Sequence, residues 1–330
     1  MSKVNSRKQF RKKRNKKKRI LLFVLLPLLI CLGIGSYFYS EYRTGLNLAQ
    51  SVSANGEDDI EFYGVEDLTG KINVLLLGVD ARDANEPSRT DTIMIAQYDP
   101  DTKTSKVISI MRDTYLEIPG YGFYKVNTAN ALGGPDLLRQ TIKHNFNLDI
   151  QYYALVNFDG FSQLIDTAFP NGIEIEVEKT MSRDIGLTLN EGLQTLNGKE
   201  LLGYVRFRKD AESDFGRVRR QQQVMETLTD ELVSVHGLLK SPRLIGTIQP
   251  YIQTNITNST ILGIATSLLL SENIAIDTLR IPADDTFENK TYPGAGMVLD
   301  INLEQNKQIL HDFLDGKLPT EETPTEEIIQ

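Results

Sequence analysis

The sequence predicts an α/β fold: a three-layer α/β/α sandwich on a central, mostly buried sheet over residues 71–317, preceded by one transmembrane helix. Three observations carry that expectation. Apolar runs of strand length alternate with segments of helical periodicity throughout the span. The first of those runs is continuously apolar, as strands covered on both faces are. An uncharged segment of twenty residues, long enough to cross a bilayer, stands ahead of them.

Residues 1–19 hold eleven Lys or Arg and no acid. Directly after them comes "ILLFVLLPLLICLGIGSYFY", residues 20–39. Bases beside an apolar span stay in the cytoplasm, so a single-pass type II arrangement in the cell membrane is expected, with the remainder extracellular. A cleavable signal peptide is the competing reading, and the length of the apolar run argues against it. The basic run reads as a topology signal attracted to anionic lipid rather than as a DNA-binding arm, because its position already explains it. Pro27 is tolerable as a mid-span kink. The single cysteine, Cys31, lies inside the span, so the exterior portion has no disulfide. Residues 40–70 are polar and acid-rich and read as an extracellular stalk, and residues 318–330 as a disordered acidic tail.

Between these flanks, "INVLLLGVD" (72–80) reads as a buried strand ending in Gly and Asp. "DTIMIAQYD" (91–99) and "SKVISIM" (105–111) read as the next two strands, joined by a turn with Pro and Asp chemistry. "GGPDLLRQTIKHNFN" (133–147) reads as a helix with Pro135 in its first turn and Leu137, Leu138, Ile142 and Phe146 on one face. A strand at 150–158 and a helix at 159–169 follow, then a strictly alternating strand at 172–179. A long helix spans 216–235, a strand 273–281 and a last helix 302–316.

The whole chain carries a net charge of −8, and without residues 1–19 it retains 25 bases against 44 acids. That acidity, with no helix-turn-helix signature, excludes nucleic acid as a partner. The histidines, His144, His236 and His311, form no metal spacing or triad. A P-loop and a dinucleotide fingerprint are absent.

Against this acidic background three segments gather arginines with aspartates. "GVDARDANEPSRTDT" (78–92) sets Asp80 and Arg82 just past a buried strand, with Arg89 and Asp91 before the next. "MRDTYLEIPGYGFYKVN" (111–127) sets Arg112 and Asp113 past another, with Lys125 after a Gly-rich turn. "RFRKDAESDFGRVRRQQQ" (206–223) sets Arg206 and Arg208 on a short extended segment, and Arg217 and Gln221 on one face at the start of the long helix. Arg219 and Arg220 read as a solvated face. Ligands in open α/β sheets bind beyond the carboxyl ends of strands. Arginine gives bidentate contacts to phosphate, and aspartates hold Mg²⁺ that is shared with substrate phosphates. The three segments together suggest a pyrophosphate carried with a divalent metal.

"NVLLLGVDAR…RTDTIMI", "SIMRDTYLEIPGYG", "KVNTANALGGPDLL" and "YVRFRKDAESDFGRVRRQQQV" together resemble the LytR-CpsA-Psr (LCP) family over residues 71–235, and the short basic arm and single anchor are also typical of it. The resemblance implies a catalytic LCP domain with an apolar tunnel for a prenyl chain. It implies transfer of an anionic glycopolymer, such as wall teichoic acid or capsule, from an undecaprenyl-pyrophosphate carrier to peptidoglycan in a Gram-positive wall. The bond formed is a phosphodiester to the 6-hydroxyl of N-acetylmuramic acid, which makes the chain a phosphotransferase. By motif position, Asp80 and Asp91 match the metal-associated acids, for Mg²⁺ or Mn²⁺, and are candidates for the general base. Arg82, Arg112, Lys125, Arg206, Arg208, Arg217 and Gln221 match the pyrophosphate-binding set, and Arg112 and Arg208 with the two aspartates are the catalytic candidates. Met111 departs from the usual Pro, "FPNGIEIEV" from a Gly-Gly-Val, and "KDAESDFGR" lacks a Pro and Gly, so loop shape and substrate choice are where this chain should differ. Other wall-assembly proteins are further candidate partners. The rival readings are a lipid-pyrophosphate hydrolase and a non-catalytic, membrane-anchored wall-polymer-binding protein.

Overall fold

Strand β1 (Ile72–Val79) alternates buried and half-buried side chains. Leu75 and Leu77 point to one face and Val74 and Leu76 to the other. The computed structural model that shows this describes residues 36–37, 39–44, 60–67, 69–79, 90–233, 246, 251–269 and 276–317. β1 pairs antiparallel with β2 (Thr90–Asp99) and parallel with β6 (Tyr152–Asn157). β2 pairs antiparallel with β3 (Thr104–Ile110), which runs parallel to β10 (Ile276–Ile281). A short β9 (Ile252–Thr254) closes the far edge, giving the order β10-β3-β2-β1-β6-β9. By these pairings β1, β3, β6 and β10 point the same way, so their carboxyl ends share one edge of the sheet.

One face of the sheet is sealed. Leu75, Leu77, Ile93, Ile95, Ile108 and Ile110 meet Leu138, Ile142 and Phe146 of α1 (Asn127–Phe146), and Leu310 and Phe313 of α6 (Leu303–Leu314). Truncating one such side chain to Ala costs about 2–5 kcal/mol. Helix α1 begins earlier than its periodicity suggests, with a break at Gly133 and Gly134. Gly134 is left-handed, at φ 67°, and Pro135 starts the second segment with no N–H to lose.

The other face is looser. It carries α4 (Asp214–Val233), joined through Gln221 to Thr92, and α5 (Asn258–Leu269), joined through Ser267 to Tyr98. Val74, Leu76, Ala154 and Val156 on this side stay half-buried. Helices on both faces of a central sheet form the expected layered α/β fold.

A second core lies beside the sheet. The alternating segment at 172–179 is a strand, but among the described residues it does not join the main sheet: β7 (Ile173–Val177) pairs with β8 (Gly192–Leu196) in a separate two-stranded sheet. Ile173, Ile175 and Val177 turn inward against α2 (Phe158–Ala168), α3 (Gly198–Arg206) and Val224 of α4. Asn157 caps α2 and a capping box of Asn197 and Glu200 starts α3. Two small hairpins, β4 (Tyr115–Ile118) with β5 (Gly122–Lys125) and β11 (Phe287–Tyr292) with β12 (Gly296–Ile301), complete the fold.

Residues 60–65, read from sequence as the end of a stalk, pack onto the domain. Ile60 and Phe62 join the main core, and Val65 N–H donates to Ile150 O at 3.0 Å. Their apolar positions are too few to show periodicity, so only the docking reveals them. The anchor at 20–39 lies almost wholly outside the described residues, as do the basic arm and the tail at 318–330. Among the described residues, no helix is long and apolar enough to cross a membrane.

Candidate functional site: an arginine-lined cleft

The shared carboxyl edge of β1, β3 and β6 brings the sequence segments together. Thr90 pairs with Val79, so Asp91, the second residue of β2, stands on that edge. β3 ends one residue before Met111, and Arg112 follows. Arg112 Nη1 donates to Asp91 Oδ1, and its Nε lies 3.7 Å from Asp113 and 3.9 Å from Asp214. Asp113 in turn holds Lys125 Nζ at 2.8 Å.

Helix α4 delivers Arg217 and Gln221 to the same place, one turn apart, as their spacing predicts. Arg217 is 3 % exposed and lies 3.8 Å from Asp91 and 2.8 Å from Asp214. Gln221 Nε2 donates to Thr92 Oγ1 at 2.9 Å. Arg206 and Arg208 flank Phe207, and both face the cleft, but Arg206 closes α3 instead of lying on an extended segment. Its guanidinium sits 4.2 Å over the Phe158 ring, which fixes a long side chain at a cleft wall.

The cleft has a volume of about 360 Å³, and its lining includes Asp91, Phe158, Arg206, Arg208, Arg217 and Gln221. Its electrostatics follow from what is buried there. Burial pulls the Arg217 guanidinium below its usual basicity; Asp214 offsets part of this and Arg112 adds to it. For Arg112, burial acts the same way, but Asp214 and Asp91 outweigh it and raise its basicity. Arg112 Nε and Arg217 Nε are buried without hydrogen-bond partners. Donors left so cost stability, and Arg112 stands behind the cleft lining, reaching it through Asp91.

Asp80 and Arg82 lie outside the described residues. Lys125 stands one step behind the cleft, reaching it through Asp113 and Arg112. Among the described residues, no group of three or more His, Cys, Asp or Glu side chains is placed to hold a metal ion. The one carboxylate in the cleft lining besides Asp184 is Asp91. With Asp184 paired to Lys209, Asp91 as a hard oxygen donor fits Mg²⁺, which keeps most of its water and takes one or two carboxylates plus substrate phosphates.

The LytR_cpsA_psr family model matches residues 36–310. The chain belongs to the LytR-CpsA-Psr family. Regulatory protein MsrR of Staphylococcus aureus (strain COL) is 44% identical over 279 residues, which cover 84% of this chain and 85% of that protein. The polyisoprenyl-teichoic acid–peptidoglycan teichoic acid transferase TagU of Bacillus licheniformis is 32% identical over 250 residues, covering 74% and 80%. Among solved structures, B. subtilis TagV matches with a TM-score of 0.64 at 28% identity, covering 76% of this chain and 98% of that one. TagT bound to LI-WTA matches at 0.61 and 26%, covering 81% and 99%.

Within this LytR-CpsA-Psr fold the sequence reading missed several residues. Asp214 joins Arg112 and Arg217 yet reads in sequence as one acid among many. Arg183, Asp184 and Lys209 also line the cleft, with Lys209 Nζ 3.0 Å from Asp184. Arg183–Asp184 repeats the Arg–Asp order of Arg112–Asp113, the only signal that marks it. The solvated face assigned to Arg220 is wrong. Its side chain is fully buried, with Nη1 2.6 Å from Glu178 and 3.1 Å from Asp210, and Nη2 2.5 Å from Phe207 O. Arg219 is the exposed one of the pair, bound to Glu178 and Glu212. Helical spacing explains the split: Arg220 shares its face with Gly216 and Val224, where Arg219 does not.

Proposed function

We propose that the chain transfers an anionic glycopolymer, such as wall teichoic acid, from undecaprenyl pyrophosphate to the 6-hydroxyl of N-acetylmuramic acid in peptidoglycan. The observation that carries this reading is the convergence of Arg206, Arg208 and Arg217 with Asp91 in one cleft. Arg206, Arg208 and Arg217, with Arg183 and Lys209 also in the lining, give a cavity of that size the positive charge that a pyrophosphate needs, and the TagU likeness supports teichoic acid as the polymer class.

In this reading Arg217 and Arg112, held by Asp91 and Asp214, take the bridging and carrier-side oxygens of the pyrophosphate. Arg206 and Arg208 at the mouth take the polymer-side phosphate. The sugar hydroxyl oxygen attacks the polymer-side phosphorus. The bond to the bridging oxygen breaks, and undecaprenyl phosphate leaves with its electrons. The hydroxyl proton passes to a carboxylate, with Asp80 or Asp91 in that role. Asp91, together with Asp80, would hold Mg²⁺, which supplies neutralisation of phosphate charge when bound. The arginines provide the remaining stabilisation of a loose, charge-dispersed transition state. The half-buried apolar side of the sheet, beginning at Leu76 behind Thr92, suits the prenyl chain. The span at 20–39 would anchor the domain on the outer face of the membrane, beside its lipid donor.

The test incubates full-length protein in detergent with a lipid-pyrophosphate-linked polymer and peptidoglycan oligomers. Mass spectrometry should find polymer joined through a phosphodiester, with one undecaprenyl phosphate released per bond. Lipid phosphate released without attached polymer, acceptor being present, would refute transfer in favour of hydrolysis.

A further inference from the structure

The two small hairpins carry a partly exposed aromatic cluster that the cleft chemistry does not use: Phe123 is exposed, and Tyr115 and Tyr292 are half-buried. On β4–β5, Tyr115 is the cross-strand partner of Lys125, and Phe123 the partner of Glu117, so all four share one side of the ribbon. The opposite side buries Leu116 and Ile118 in the main core. Phe123 is 55% exposed. Its ring centroid lies 5.6 Å from that of Tyr115, which stacks on Tyr292 of β11 at 4.7 Å and 13°. Tyr292 O–H donates to Asp300 Oδ2 at 3.0 Å, and Lys290 Nζ donates to the same oxygen at 2.7 Å.

Scattered exposed aromatics are ordinary, but three rings joined through Tyr115 across two hairpins are a patch with polar groups at its rim. Stacked rings with carboxylate and ammonium neighbours suit a ligand with apolar C–H faces and hydroxyl edges, which is the chemistry of a sugar ring. A protein partner would bury the patch under a larger apolar core, and the flanking charges of Glu117, Lys290 and Asp300 disfavour that. The patch is linked to the cleft through a chain of ion pairs, Lys125 to Asp113, Asp113 to Arg112 and Arg112 to Asp91 of the cleft lining. Lys125, on the same side as Phe123, is bound to Asp113 next to Arg112, and Leu299 N–H of β12 donates to Asp113 O at 2.9 Å.

We infer that Tyr115, Phe123 and Tyr292 form a glycan-binding platform that holds the sugar chain of the acceptor and leads it to the cleft. The inference rests on the transfer reading for its direction, since a donor in the cleft leaves the hairpin side for the acceptor. The ligand class is a β-linked N-acetylhexosamine chain, stacked on the rings and hydrogen-bonded at Glu117 and Asp300.

The chain contains no tryptophan, so Phe123→Trp in the full-length protein places a single fluorophore on the platform. Titration with an N-acetylglucosamine oligomer should shift its emission saturably, and adding Tyr292→Ala should weaken binding about tenfold. Phe123→Ala should lower co-sedimentation with peptidoglycan sacculi stripped of wall polymer by a similar factor, while its thermal unfolding stays unchanged. Arg208→Ala should bind these sacculi as wild type does, which separates this site from the cleft. Emission indifferent to the oligomer, or sacculus binding unchanged in Phe123→Ala, overturns the inference even if transfer is confirmed. Binding that disappears when the sacculi are treated with protease overturns it in favour of a protein occupant.

Discussion

Arg217 Nη2 lies 2.8 Å from Asp214 Oδ1, its neighbour one turn earlier on helix α4. The same oxygen is 3.9 Å from Arg112 Nε. One carboxylate thus balances a buried and a half-buried guanidinium group, and an incoming phosphate competes with it. Asp214→Asn keeps the shape and removes the competing charge. It should tighten binding of inorganic pyrophosphate about two- to fivefold, measured by titration calorimetry on the full-length protein. Weaker binding would show that Asp214 chiefly positions Arg217.

Arg220 and Arg219 are adjacent in sequence and opposite in consequence. Arg220→Met leaves Glu178 and Asp210 without their buried partner and should cost about 3 kcal/mol, the lower end for a broken buried pair because Arg219 and Lys179 still reach those acids. The melting temperature should fall by about 6–12 °C. Arg219→Ala, on an exposed side chain, should cost about 1 kcal/mol or less. Equal losses in the two variants would contradict the burial of Arg220.

The same cluster predicts acid sensitivity. Burial alone would raise Glu178, but hydrogen bonds from Arg219 and Arg220 outweigh it and hold its carboxyl below the ordinary 4.5. Asp210 is likewise held below 3.8, by Lys179 and Arg220 against burial. A depressed carboxylate contributes stability that is fully present above its unfolded value and is lost as pH falls through its folded one. The melting-temperature gap between wild type and Glu178→Gln should therefore be constant from neutral pH down to about pH 5 and shrink below about pH 4.5. A gap that widens on acidification would reverse the assigned sign.

Much of this was legible in the residues. The continuous apolar runs at 72–80 and 105–111 marked the sheet, and the fourfold spacing of Arg217 and Gln221 put both side chains in the cleft. What escaped depends on packing. β4, β5, β11 and β12 are four to six residues long, too short for a period to show. β7 alternates cleanly, but alternation does not say which sheet a strand joins. Arg220 has the same residue type and flanks as Arg219, and only the second core beneath it decides which one is buried.

The most direct measurement compares the rate of polymer attachment to peptidoglycan oligomers by wild-type, Arg208→Ala and Arg219→Ala proteins, with Mg²⁺ present or chelated. Arg208 faces the cleft and would meet a phosphate; Arg219 points away to Glu178 and Glu212. Losing a charge-assisted contact that strengthens at the transition state should slow Arg208→Ala about ten- to more than hundred-fold. Arg208→Lys should lose much of the rate as well, because an ammonium forms no planar fork. Arg219→Ala should transfer as wild type does, and chelation should stop transfer in all. Equal rates for Arg208→Ala and Arg219→Ala, or transfer indifferent to chelation, would contradict a cleft that holds the donor's pyrophosphate with its metal.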